Sequence, residues 1–134
     1  MLLAAGGFAG LVTPKIDLFV ANSVAPSKLS VFADFTIATY TGYAGPIALT
    51  ESAVYIPHGQ GPSVDLSDAI FNGPTAGAGT DVIGAVVWNG VVLTPVVYAV
   101  ILFDGPLGLQ LATDRVSIDE TLSIAPTVGF SVSN

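Results

Sequence analysis

His58 is the only imidazole in the chain, so acid–base chemistry near neutral pH would have to run through it. It stands in residues 57–62 (PHGQGP), where two prolines and two glycines read as a turn, and an exposed turn histidine has nothing to hold it against a substrate. The sequence contains no cysteine and no Gly-x-Ser-x-Gly elbow, so neither a thiolate nor a recognisably activated serine is on offer. The carboxylates fall into two groups, Asp65 with Asp68 and Asp114 with Asp119 and Glu120. Calcium takes six to eight oxygens, and neither group has the spacing and glycine of a ligand loop. Positions three apart point to opposite sides of a regular strand, which separates Asp65 from Asp68; the second group reads as a solvated turn. The glycine-rich stretch 72–80 (NGPTAGAGT) exposes backbone N–H groups but lacks the following lysine and the βαβ setting of a phosphate loop. These residues predict no enzyme, no metal and no cofactor.

Aromatic side chains could act by contact instead. Trp88, Tyr98, Phe103 and Phe130 could form a sugar-binding platform, but they lie within strong strand patterns and read as core. Tyr40 and Tyr43 bracket Gly42 in an irregular stretch, which suits a subunit contact or a corner of the fold.

Charge narrows the partners. Charged residues make up 10% of the chain against 51% hydrophobic, and three cations face ten carboxylates for a net charge of −7. Such a protein is repelled by nucleic-acid phosphates. Nor can so few charges cover its surface in the usual mixed pattern, so part of that surface is expected to be covered by other protein.

The elements that must carry these residues are strands. Residues 15–20 (KIDLFV) place Ile16, Leu18 and Val20 on one face and Phe19 on the other. Residues 31–44 lack clean alternation and read as an irregular crossing segment. Residues 46–56 read as a strand with one wet face, and residues 63–71 as another. Residues 81–88 and 91–103 are the most strand-like, and Asn89-Gly90 between them predicts a two-residue hairpin, with Pro95 marking an edge, a bulge or a break. Asp104 to Pro106 reads as a turn, 107–113 as a strand, 114–120 as a charged turn and 121–132 as the closing strand. About eight short strands without helical periodicity predict an all-β fold, a single jelly-roll-like β-sandwich over residues 15–134. Residues 1–14 read as an extended apolar N-terminal arm: the run 1–12 (MLLAAGGFAGLV) is too short to span a bilayer and has no basic flank, so no membrane contact is expected.

Ala33, Asp34, Phe35 and Thr36, followed by Gly42, Tyr43 and Ala44, resemble a pattern in small virion-associated proteins of tailed bacteriophages. Residues 95–116 and 119–132 resemble the C-terminal half of the same proteins, so the likeness covers about half the chain. The resemblance implies a structural virion protein of the head decoration or cement type, on the outer surface of the capsid, with the major capsid protein and its own copies, as a homotrimer, for partners. The alternative is a receptor- or glycan-binding module of a tail or fibre. For the contacts with capsid or neighbouring subunit the sequence nominates Leu2, Leu3, Phe8, Leu11 and Val12 of the arm, together with Tyr40 and Tyr43.

Overall fold

Two antiparallel sheets make up the computed structural model, which describes residues 2–3, 13–27, 29–50, 63–123 and 130–133. In the first sheet β1 (Leu2–Leu3) pairs with β8 (Val97–Leu109), β8 with β7 (Thr80–Trp88), and β7 with β2 (Lys15–Asn22). The far edge of β2 carries two short strands, β4 (Ile47–Ala48) opposite Lys15 and Ile16, and β3 (Phe35–Ile37) opposite Phe19 to Asn22. The second sheet is built on β9 (Arg115–Ser123), with β10 (Phe130–Ser133) on one side and β5 (Ser63–Asp65) and β6 (Ala69–Asn72) in succession along the other. A 3-10 turn, Phe32–Asp34, leads into β3. The all-β expectation holds.

Side-chain alternation sets which faces meet. Ile16 and Leu18 of β2 and Ala85 and Val87 of β7 pack against Ala69 and Phe71 of β6 and Val116 and Ile118 of β9. Ile70 and Asp119 face outward from the second sheet, which is therefore wet on one side. The centre of the first sheet is buried on both. Phe19, Val86 and Val100 point away from the second sheet and form a smaller cluster with Phe35 and Val97. A strand buried on both faces needs a continuous apolar run rather than alternation, which explains the VVW that ends β7. Each fully buried large side chain, such as Phe19 or Phe71, contributes about 1.5–3 kcal/mol of transfer free energy.

Four local expectations are corrected. Asn89-Gly90 does not close a two-residue hairpin: β7 and β8 do pair, but through a loop of residues 89–96, because pairing resumes only at Val97 opposite Trp88, beyond Pro95. Asp104 to Pro106 is not a turn between strands. It belongs to a bulge in β8, where Leu102 faces Gly84 and Leu107 already faces Val82. The charged stretch 114–120 turns only at its start, and from Arg115 onward it is the central strand of the second sheet, held by β6 and β10 on either side. Residues 63–71 form two strands, with the ladder interrupted at 66–68.

Of the expected arm, Leu2 and Leu3 form a strand opposite Val100 and Ala99. Phe8, Leu11 and Val12 lie outside the described residues, as do His58, Glu51 and most of the strand expected over 46–56, of which β4 is the described part.

Candidate functional site

Where β7 ends, Asn89 builds the loop that follows it. Its backbone N–H donates to the Val96 carbonyl at 3.0 Å, its side-chain amide donates to the Thr94 carbonyl at 2.9 Å, and its Oδ1 accepts from the N–H groups of Val91 and Val96 at 3.2 and 3.0 Å. Thr13 adds a hydroxyl bond to the Asn89 carbonyl at 2.8 Å. Gly90 follows with φ +71°, a left-handed conformation that a side chain would strain. With three of its backbone groups tied to one side chain, the loop presents its apolar side chains to the outside: Val92 is 81% exposed and Leu93 93%.

A second loop flanks it. Residues 23–27 and 29–31 carry Val24, Leu29 and Val31 to the surface, Leu29 at 83% exposure, before the chain enters the 3-10 turn. Asp34 caps that turn by accepting from the Val31 N–H at 2.9 Å. Between the loops, the ring of Phe32 stacks on Trp88 with centroids 3.8 Å apart and planes 24° from parallel. Phe32, Ala33, Phe35, Trp88, Val92 and Pro95 line an open apolar cleft of about 380 Å³ there. An apolar cleft opening beside exposed aliphatic side chains is the kind of surface on which another molecule packs.

Trp88 is held from below by Asp17. The carboxylate is 2% exposed; Oδ2 accepts from the indole N–H at 2.9 Å and Oδ1 from the Tyr43 hydroxyl at 2.8 Å. Tyr43 in turn accepts from the N–H of Leu18 at 2.8 Å. Leu18 sits on the edge of β2 between the stretch taken by β4 and the stretch taken by β3, so the phenol supplies the partner that no strand does. Burial pushes the Asp17 carboxyl above the usual carboxylate range, against the opposing pull of the Tyr43 and Trp88 hydrogen bonds and of the Lys15 charge. Burial, with the charge of Asp17 second, raises the Tyr43 phenol, and burial alone raises that of Tyr40.

The two tyrosines singled out in the sequence thus meet, edge to face at 5.3 Å, in the gap between the sheets. Tyr43 lies over Phe71 at 5.8 Å, and Tyr40 donates to the Asn72 carbonyl. Tyr43 spends both ring and hydroxyl inside the molecule. Trp88 is buried, and Tyr98 and Phe103 are half-buried against the core, so these three do not combine into an exposed platform. The side chain of Phe130 lies outside the described residues.

Of the carboxylates singled out in the sequence, the side chains of Asp65 and Glu120 lie outside the described residues. Asp68 is exposed, and Asp114 caps the turn after β8 by accepting from the N–H groups of Gln110 and Leu111 at 2.9 and 2.8 Å. A polar cleft of about 570 Å³ beside it is lined by Asn72, Thr113 and Arg115. Among the described residues no three histidines, cysteines or carboxylates gather as a metal would need. The apolar loop face escaped sequence reasoning because Asn89-Gly90 reads as a tight turn; the outlying signal was a valine-rich segment with a proline and no charge directly after it.

Compared with known proteins, the chain matches no family model, no curated protein and no solved structure.

Proposed function

We propose that this chain is a structural module that works by packing its apolar loop face against other protein, without catalysis or cofactor. The observation that carries this reading is the apolar cleft at the Phe32–Trp88 stack, bordered by the exposed Val92 and Leu93 of a loop that Asn89 holds through three side-chain hydrogen bonds. A group of exposed aliphatic side chains on ordered backbone is costly in water and is retained where it is covered in use.

The resemblance of residues 31–44 and of the C-terminal half supports the more specific reading: a subunit of a phage virion that decorates the outside of the head as a small homo-oligomer bound to the major capsid protein. A clamp that binds only the assembled shell stabilises it by mass action, by about 4 kcal/mol for each site held at a thousand times its dissociation constant. Particles purified on a density gradient from cells producing this chain test it. Hundreds of copies per particle support head decoration, a few to a few dozen place the protein in the tail, and its absence from particles overturns the virion reading.

A further inference from the structure

We propose that the face formed by loops 23–31 and 89–96 docks a second copy of this chain. The proposal rests on reading that face as a packing surface, and not on the virion or the capsid.

Electrostatics selects the occupant. Two copies, each with a net charge of −7, repel one another, and the contact that minimises this repulsion is one from which the carboxylates are missing. None of the ten carboxylates falls in residues 23–33 or 89–96, where the one ionisable residue is Lys28. Asp34, the nearest acid in sequence, follows the first loop and places its carboxylate on the Val31 N–H at the border of the face. A face whose two loops carry no carboxylate therefore lies in a strongly acidic chain at the place where like molecules can meet.

Size agrees. Seven aliphatic side chains of the two loops are exposed, enough to supply the apolar part of a stable interface, in which each partner buries roughly 800 Å².

Shape supplies the pairing. Val92 and Leu93 project from the surface, and beside them opens the cleft lined by Phe32, Trp88 and Pro95. A projection next to a recess is self-complementary: the tip of one copy enters the cleft of the other, and the reverse contact forms by symmetry. The same tip-into-cleft contact can also close a ring. Asn89 holds the tip in shape beforehand, which lowers the ordering cost of association.

Sedimentation equilibrium of the full chain between about 1 and 100 µM, the range in which a moderate protein contact is populated, tests the proposal. The wild type is expected as a dimer or trimer. Leu93→Asp and Leu29→Asp each place a charge on the face at a side chain that contributes little to the core, and each should weaken association by on the order of 100-fold. Leu111→Asp is the control: it is an exposed leucine in the turn after β8, at the Thr80 end of β7, about 26 Å along the strand from Trp88, and should leave the mass unchanged. Far-ultraviolet circular dichroism verifies that each variant keeps the β fold. A wild type that remains monomeric across the range overturns the proposal, and so does an oligomer equally indifferent to all three substitutions. A monomer that still co-purifies with particles removes the self-contact and leaves the virion reading standing. An oligomer absent from particles does the reverse.

Discussion

The indole N–H of Trp88 donates to Oδ2 of Asp17 across 2.9 Å, joining the last residue of β7 to a carboxylate buried in the neighbouring strand. This bond, with the Phe32 stack on the other side of the indole, fixes the point from which the 89–96 loop departs. The apolar face is thus positioned by a polar network beneath it. The network joins β2, the segment around Tyr43 and the end of β7, so a disturbance at any of its members is felt at the loop.

Protonation of Asp17 should appear in the pH dependence of stability. Burial raises its folded-state affinity for a proton above the ordinary value of 3.8, so the folded chain binds that proton more tightly than the unfolded one. The contribution of this group to stability is then fully present below 3.8 and is lost as pH rises through the raised folded value, after which it is flat. Urea denaturation of wild type and Asp17→Asn at a series of pH values isolates it, because the other carboxylates cancel in the difference. The wild type should lose stability relative to the variant as pH rises through that window, and a difference independent of pH would refute the account.

Tyr43→Phe removes one oxygen and strands two buried groups, the N–H of Leu18 and Oδ1 of Asp17. Leaving a buried donor or acceptor without a partner costs about 1–3 kcal/mol, more for a charged group, so the variant should unfold about 3 kcal/mol more easily. It should also change the emission of Trp88 in the folded state, since Asp17 is then free to shift. Chemical denaturation followed at the tryptophan reads both; unaltered stability would mean that water replaces the phenol.

Gly45→Ala tests the same network by crowding it. A β-carbon at position 45 would collide with the Tyr43 hydroxyl and with Oδ1 of Asp17, both held inside the fold. Overpacking a site of this kind costs about 1–3 kcal/mol, and thermal unfolding should register it as a lowered midpoint. Gly77→Ala, where nothing stands within 4 Å, meets only the strain of its own positive φ and should cost less.

How much of this could be read from residues alone depends on the range of the interactions. Residues 15–20 were legible as a strand from the alternation of Ile16, Leu18 and Val20, residues 81–88 from a run of β-branched side chains that the double-sided burial of β7 requires, and the pairing of β7 with β8 because Asn89-Gly90 marks a reversal. The loop length was not. Pro95 cannot donate to a ladder, and Asn89 spends its side chain on Val91, Thr94 and Val96, so the reversal grows into a loop that displays Val92 and Leu93. The burial of Asp17 was hidden for a different reason. Its partners Tyr43 and Trp88 are 26 and 71 residues away in sequence, and only the folded sheet brings them together. Arg115 to Glu120 looked like a turn because charge density is a surface signal, whereas a strand with one wet face also carries charges, here Arg115 and Asp119 on the exposed side.

Asn89→Ala separates the shape of the loop from its chemistry. The substitution removes three side-chain hydrogen bonds and leaves Val91, Val92, Leu93 and Val96 in place. The loop is exposed, so water takes over the freed groups, and the stability loss should be about 1–2 kcal/mol, mostly from the lost order of the loop. If the face acts through preorganised apolar contact, association should weaken by roughly ten-fold, because the ordering formerly supplied by Asn89 must now be supplied on binding. Sedimentation equilibrium gives the dissociation constant, and amide hydrogen exchange at residues 91 and 96 reports whether their N–H groups have lost protection. Faster exchange with an unchanged dissociation constant would show that the apolar side chains bind regardless of how the loop is held, and the role assigned to Asn89 in association would fall.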